Sequence, residues 1–538
     1  MKLRFPSRLC GFAGEISVIC LAVSVAAASL PIQDIGGTLA FQGQDIIGGA
    51  AIIFKAPKRV RDLAGNTAAM LAARRPSRSN RPAEVARNNR PVTQPATAVA
   101  TTPTTTTENR AEALKDQGNV YYDRGDFQQA IEAYQNAFKV DPDDADAYNN
   151  LGAAYFNLNK APEAAAAFQR SISLKSDDGD AYNNLGASLY KAGRYREASE
   201  AFQNAVRLTP NDADALNNLG AVYYVLEQYD RALDSFQKAT AAKPDSADAH
   251  YNLGNAYYMS GRNREAATAY RRAIELNPNY VEAKTNLGSL LISSDPRGAA
   301  AELRESLRLR PDNPVAYNNL GYAYVKIAET DDRANAVEYL RQAVEAYKEA
   351  LRLKPDYVKA MNNLGAAYNK LGQYQEAAAL LLQATRAKPE FPEAHYNLGA
   401  ALYGGGDFKG AVNAFQQAVR LRQDYADAYN SLGTALYKDQ QFDAAIDAYK
   451  KTLALKPANA ETNNNLGTVY FRTKRYQQAA ASFKEAIRIK PDYGEAHFNL
   501  ALAYVALNDR KAALEQYNRL KKVDPKLAQE FFQQYMKK

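Results

Sequence analysis

Asparagine recurs in this chain at regular intervals, at Asn150, Asn184, Asn218, Asn252 and Asn286 and then at Asn319, Asn363, Asn397, Asn465 and Asn499. A primary amide both donates and accepts hydrogen bonds and carries no charge. A row of such groups suits an extended polypeptide, whose alternating N–H and C=O groups it can grip without reading charge. A second row, acidic in most copies, stands four residues ahead of that register: Glu112, Asp146, Asp180, Asp214, Asp248, Glu282, Glu393, Asp427, Glu461 and Glu495. An acid there stabilises the first turn of a helix through its dipole. It also makes the same face repel acidic ligands and tolerate basic ones.

Residues for bond-making chemistry do not assemble in the same way. The three histidines, His250, His395 and His497, occupy one register of separate copies and are too far apart in the array to share a metal ion. Both cysteines, Cys10 and Cys20, lie at the head of the chain, so the remainder has no thiolate site and no disulfide. Serine and aspartate are plentiful, but no nucleophile, base and orienting group form a recognisable motif. The expectation is a binding protein with no catalytic residues, no metal and no cofactor.

Glycine reveals the elements that position these rows. Gly118, Gly152, Gly186, Gly220, Gly254, Gly288, Gly321, Gly365, Gly399, Gly433 and Gly467 follow one another mostly at 34 residues, with Ala501 in the twelfth place. A unit of that length cannot bury its own apolar face and must stack on its neighbours. With Ala145 as position 1 of a specimen repeat, Tyr148, Leu151, Gly152 and Tyr155 fall on one side of a helix turning about 100° per residue. The asparagine at position 6 lies about 150° away, beside the acid at position 2, so packing of the apolar side does not require it. A second helix carries Ala164 and Phe168 one turn apart, at positions 20 and 24, and small against large lets two helices approach closely. Proline closes most repeats, as at Pro142, Pro210 and Pro244, because it cannot continue a helix.

A unit with Leu-Gly at positions 7 and 8, Tyr at 11, Ala at 20, an aromatic at 24 and Pro at 32 resembles the tetratricopeptide repeat (TPR). The resemblance covers about four fifths of the chain, with Tyr, Leu or His at position 4 in place of the family's usual Trp. It implies an all-α fold, an α-solenoid of about twelve helix-turn-helix units wound as a right-handed superhelix, with the first helices lining the concave wall. The asparagine row is similar to that of the repeat region of O-GlcNAc transferases, which implies a peptide-binding groove along it. Lys115, Asn119 and Asn150 match part of the clamp with which chaperone-binding members hold a terminal carboxylate. Asp180 and Asn184 stand where that clamp needs Lys and Arg, so a working clamp is not expected.

Two repeats break the period. The sixth is one residue short near Ser293 to Gly298, and the seventh carries ten extra residues near 326–341, expected to lengthen its second helix by roughly three turns into a strut or bend. Residues 526–538 read as an amphipathic capping helix closing an array over 109–525, whose first helix is expected to start at an Asn109–Glu112 capping box.

The head of the chain has a different composition. The net charge of +8 resides entirely in the first 110 residues, leaving the repeats neutral. A neutral array lacks the basic stripe that phosphate binding needs, so nucleic acid is not an expected partner. Lys2, Arg4 and Arg8 precede an apolar run from Ile16 to Leu30 with small residues at Ala26 to Ala28, and 1–28 therefore reads as an export signal or N-terminal anchor. The segment 29–71 has no determined fold, although Ile46 to Phe54 reads as one strand or a strand pair. Residues 72–108, basic and rich in Pro and Thr, read as a disordered linker.

The sequence thus predicts a non-enzymatic scaffold that binds other proteins or extended peptide segments along the groove. It is expected to be exported to a bacterial periplasm or cell envelope, touching the membrane only through an uncleaved N-terminus. The other reading is an accessory subunit recruiting substrates for a separately encoded transferase or protease. Oligomeric state is left open.

Overall fold

The computed structural model describes residues 106–535, and every element within them is helical. The export signal, the 29–71 segment and nearly all of the basic linker lie outside the described residues. The chain divides into two units whose boundary runs through the short sixth repeat. An N-terminal unit holds 106–291 and 301–310, and a C-terminal unit holds 292–300 and 311–535.

In the N-terminal unit the repeats pair α1 (Thr106–Arg124) with α2 (Phe127–Phe138), α3 (Ala145–Asn157) with α4 (Ala161–Leu174), and α5 (Gly179–Lys191) with α6 (Tyr195–Leu208). They continue with α7 (Ala213–Val225) and α8 (Tyr229–Ala242), then α9 (Ala247–Met259) and α10 (Asn263–Leu276), then α11 (Val281–Leu291), with α12 (Pro296–Leu309) spanning the boundary. The C-terminal unit pairs α13 (Pro314–Thr330) with α14 (Arg333–Leu353), α15 (Val358–Lys370) with α16 (Tyr374–Ala387), and α17 (Pro392–Gly404) with α18 (Phe408–Leu421). It ends with α19 (Ala426–Lys438) and α20 (Phe442–Leu455), α21 (Ala460–Arg472) and α22 (Tyr476–Ile489), α23 (Gly494–Ala506) and α24 (Arg510–Val523), and the closing helix α25 (Pro525–Tyr535).

The glycine period has a steric cause. A Cβ built on Gly220 would stand 2.7 Å from the Phe236 ring, on Gly254 2.6 Å from Tyr270, and on Gly399 2.7 Å from Phe415. Position 8 of the first helix is thus the floor on which the position-24 ring of the second helix lies flat, and these rings are fully buried. Gly365 is covered by Leu381 in place of a ring, a built Cβ standing 2.5 Å from it, and where Ala501 replaces glycine, Tyr517 is half-buried and stacks on Phe531 of α25 at 6.0 Å instead.

In three repeats the position-24 ring is a buried tyrosine that bonds a polar side chain at position 9 of the first helix: Tyr134 donates to Asn119 at 2.8 Å, Tyr270 donates to Asn255 at 2.7 Å, and Tyr449 pairs with Thr434 at 3.0 Å. Where the ring is Phe168, Phe202, Phe236 or Phe415, position 9 is alanine (Ala153, Ala187, Ala221, Ala400). A buried hydroxyl without a partner is costly, which accounts for the polar residue in those three repeats; the buried Tyr347 hydroxyl, with Tyr322 at position 9, has no hydrogen-bond partner, and Phe483 has Thr468 at position 9.

Hairpin turns are made by a left-handed residue at position 15. Gly125, Gly193, Gly261, Gly372 and Gly406 have φ between 73° and 87°, and Asn159, Glu227, Gln440, Lys474 and Asn508 adopt the same region at 58° to 63°. The next N–H returns to the carbonyl of position 11, as from Asp126 to Tyr121 at 2.9 Å, satisfying the helix end. Several first helices begin at an acidic or amide cap, with Asp144 accepting from the Ala147 N–H at 2.9 Å.

Two expectations need correction. Helix α1 starts at Thr106, which puts Asn109 inside the helix and not at its cap, since extending an existing helix adds one hydrogen bond per residue fixed. The insertion does not lengthen the second helix alone: α13 has 17 residues where α3 has 13, and α14 has 21 where α4 has 14. Both helices grow because a longer hairpin keeps its two strips of side chains in contact, whereas a lone strut of three turns would bury nothing. The surplus of α14 overhangs the α15–α16 turn and leaves a notch of about 550 Å³ lined by Val337, Arg341, Val344, Lys348, Lys370 and Leu371.

Candidate functional site: the inner face of the first helices

Within each unit consecutive first helices touch directly, whereas each second helix reaches the next repeat through that repeat's first helix. The first helices therefore form the more closely spaced, concave side. Positions 2, 6, 9 and 13 fall within an arc of about 60° on each of them, opposite the face consumed by the position-24 ring.

The ten asparagines at position 6 all sit on this arc, and packing uses most of them. Asn150, Asn218, Asn252, Asn319, Asn363, Asn397 and Asn499 are buried, while Asn184, Asn286 and Asn465 are half-buried. The amide nitrogens of eight of them bridge to the preceding repeat. Asn218 donates to Asn183 at 3.0 Å, Asn252 to Asn217 at 3.0 Å, Asn363 to Asn318 at 3.0 Å, Asn397 to Asn362 at 2.8 Å and Asn499 to Asn464 at 3.0 Å. Asn184 reaches Asn149 at 3.3 Å in the same way. Where position 5 is Lys115 or Tyr251, position 9 supplies the oxygen, so Asn150 donates to Asn119 at 2.9 Å and Asn286 to Asn255 at 3.1 Å.

The premise that packing leaves these amides idle is therefore replaced. It considered one helix on its own hairpin partner and omitted the first helix of the neighbouring repeat. The residues missed are the position-5 acceptors, and the signal for them was the Asn-Asn pair that recurs in Asn149–Asn150, Asn183–Asn184, Asn217–Asn218, Asn318–Asn319 and Asn362–Asn363.

The acidic row at position 2 is partly compensated. Glu282 meets Arg310 at 2.7 Å, Asp427 meets Lys456 at 2.7 Å, and Glu393 is held by Arg422, each base lying just past the second helix of the same repeat. Asp248 accepts from the Tyr280 hydroxyl at 2.6 Å. Burial pushes the Asp248 carboxyl up, and the neighbouring Glu282 and Asp214 add to the rise against the Tyr280 bond. In the N-terminal unit the acids of successive repeats thus feel one another across the inner face.

Position 13 separates the units. Among the described residues of the N-terminal unit its one base is Lys191, which donates to the Phe156 carbonyl at 3.2 Å. In the C-terminal unit it is Lys326, Lys370, Lys438 and Arg472. Lys326 and Lys370 share one carboxylate, Glu329, at 2.8 and 3.0 Å. Burial works against that carboxylate's charge, but the two ammonium groups outweigh it and hold Glu329 below the usual range.

The remaining residues singled out by sequence are structural. Lys115 contacts Glu112 at 2.7 Å and Asp144 at 3.0 Å, so the partial clamp of Lys115, Asn119 and Asn150 is assembled but already neutralised. Each histidine bonds the carbonyl of the proline that closed the repeat before it: His250 to Pro244 at 3.1 Å, His395 to Pro389 at 3.0 Å and His497 to Pro491 at 3.0 Å. Among the described residues no three His, Cys, Asp or Glu side chains are grouped to hold a metal ion, and no helix is long and apolar enough to cross a membrane.

Comparison with known proteins places this geometry. A family profile described as the C-terminal domain of cilia and flagella-associated protein 70 matches residues 92–290. Tetratricopeptide repeat profiles match residues 340–372 and 365–406, 396–460 and 430–494, and 471–531. No curated protein matches the chain. Among solved structures, MamA is similar at 28% identity with a TM-score of 0.29, over 31% of this chain and 96% of that one. YrrB, described as a TPR protein with an unusual peptide-binding site, is similar at 28% identity with a TM-score of 0.32, over 37% of this chain and 97% of that one. Cut9–Hcn1 of the APC/C is similar at 14% identity with a TM-score of 0.42, over 79% and 96%. The chain is built of tetratricopeptide repeats.

Proposed function

We propose that this protein is a non-enzymatic scaffold that holds extended polypeptide segments along the inner face of its first helices. The observation that carries this reading is the contrast between the two sides of one helix. The side bearing positions 4, 7, 8 and 11 is filled by rings, whereas the opposite arc keeps polar and charged side chains in register from repeat to repeat. Asn184, Asn286 and Asn465 supply amide contacts to the ligand backbone, and the seven buried asparagines hold the spacing of the floor beneath it. That role makes the array similar in use to the repeat region of O-GlcNAc transferases. The N-terminal signal directs it to a periplasm or cell envelope.

The test is peptide binding by the full chain, followed by fluorescence polarisation, with Val225→Arg and Met259→Arg introduced together. Both residues occupy position 13, are half-buried and take no part in the asparagine bridges. Loss of peptide binding with unchanged helix content supports the groove, and unchanged binding rejects it. Mass analysis of the protein from envelope fractions tests export, which an intact N-terminus on cytosolic protein would refute.

A further inference from the structure

Ten of the twelve repeats place an acid at position 2, and the two exceptions are adjacent: Val315 in the seventh repeat and Lys359 in the eighth. The same two repeats carry Lys326 and Lys370 at position 13. All of these lie on the inner arc of α13 and α15, whose helices touch. Position 2 and position 13 are about 16 Å apart along one helix, so they mark the two edges of the face. In the seventh and eighth repeats the position-13 edge is basic, and the position-2 edge, acidic in all the other repeats, becomes Val315 and Lys359.

The local counter-charge is Glu329, which belongs to the inserted turn at the end of α13. It stands between Lys326 and Lys370 and pairs with both ammonium groups. Both lysines are restrained: Lys370 exposes 14% of its side chain, and the Lys326 ammonium lies 5.5 Å over the Tyr322 ring at position 9 of the same arc. Restrained cations lose less side-chain entropy on binding than free surface lysines do. The insertion thus places a fixed positive pair where the array drops its acids.

Resting on the reading of the inner face as a polypeptide groove, we propose that the seventh and eighth repeats form an anion-selecting segment. It takes the acidic side chains of an extended peptide, with Lys326, Lys359 and Lys370 as the selecting residues and Glu329 as the internal competitor for the same ammonium groups. Charge complementarity identifies the occupant, because Lys326, Lys359 and Lys370 gather on the inner arc of the two adjacent repeats that lack the position-2 acid, and so mark where along the groove an acidic stretch sits.

The experiment titrates the full chain with two labelled peptides of equal length, one carrying several glutamates and one the corresponding glutamines, at low and moderate salt. The glutamate peptide should bind about tenfold more tightly at low salt and lose that advantage as salt screens it. Lys326→Gln, Lys359→Gln and Lys370→Gln together should abolish the preference and leave the glutamine peptide unaffected. Glu329→Gln frees both lysines from their competitor and should strengthen glutamate-peptide binding several-fold, an effect in the opposite direction that a misfolded variant cannot imitate. Equal affinity for the two peptides, or a preference unchanged by the triple substitution, overturns the inference while leaving the groove intact. Failure of both peptides to bind overturns the groove itself. Tighter binding of a short single-stranded DNA than of the glutamate peptide would also overturn it, by assigning the cations to phosphate.

Discussion

The N-terminal and C-terminal units are alike on the side where helices pack and unlike on the side they leave to solvent. Both use glycine under a ring, alanine at position 20 and an asparagine bridge to the preceding repeat. Phe236 on Gly220 and Phe415 on Gly399 have the same geometry, with a built Cβ 2.7 Å from the ring in each. On the inner arc the N-terminal unit repeats an acid in every copy and has a single base at position 13, Lys191, whereas the C-terminal unit has four bases there and two copies without the acid. Packing tolerates one solution and duplication preserves it. Positions 6 and 9 of the inner arc share in that packing, whereas at positions 2 and 13 of the same arc the two units differ in charge.

If the two cores are truly equivalent, Phe236→Ala and Phe415→Ala should each cost about 3–5 kcal/mol, with increased hydrogen exchange confined to the mutated repeat and its neighbours. Unequal losses would break the likeness. Gly220→Ala and Gly399→Ala force the same ring out of the same place and should each cost about 1–3 kcal/mol in urea unfolding. Asn218→Ala and Asn397→Ala should match them within error, because each strands a buried oxygen, of Asn183 and of Asn362, at about 1–3 kcal/mol. Asn184→Ala removes a longer and half-buried bond and should cost less.

A smaller effect sharpens the rule linking positions 9 and 24. Phe202→Tyr buries a hydroxyl against Ala187 and should destabilise, and adding Ala187→Asn should recover about 1 kcal/mol through the bond seen between Tyr134 and Asn119. The same cycle at Phe415 and Ala400 should give the same coupling. A cycle that sums to zero in either unit would show that the pairing is coincidence.

The smallest expected effect is a pH dependence in the C-terminal unit. Burial holds the His395 imidazole below its ordinary range, with Arg420 adding and the Pro389 carbonyl opposing. The unfolded chain then takes up a proton near pH 6.5, before the folded one does. Stability contributed by the neutral ring is present above that pH and is lost as pH falls through it toward the lower folded value. His395→Gln should flatten the thermal stability of this unit across that window, and an unchanged slope would assign the dependence elsewhere.

Much of the fold was legible before any coordinates, because it rests on period. Gly152 and Phe168 stand 16 residues apart, a glycine–aromatic spacing that most copies repeat, and only a helical hairpin brings that pair together. The rows at positions 2 and 6 were also legible, as was their common face. The availability of the amides was not. Whether Asn218 meets a ligand or Asn183 depends on how closely two first helices approach, a distance between repeats that no helical wheel contains. The division of the insertion between α13 and α14 escaped for a similar reason, since a run of extra residues has no register until it has a partner to pack on.

The sequence by itself determined the repeating brick, its turn residues and the charge on each face, because these follow from local sterics and from periodicity within one helix pair. Only the tertiary structure decided which polar groups are spent between bricks, which acids are paired, and that Lys326 and Lys370 converge on Glu329 from helices separated by a 21-residue neighbour. Those outcomes depend on distances between elements far apart in the chain, and such distances are set by how the bricks stack.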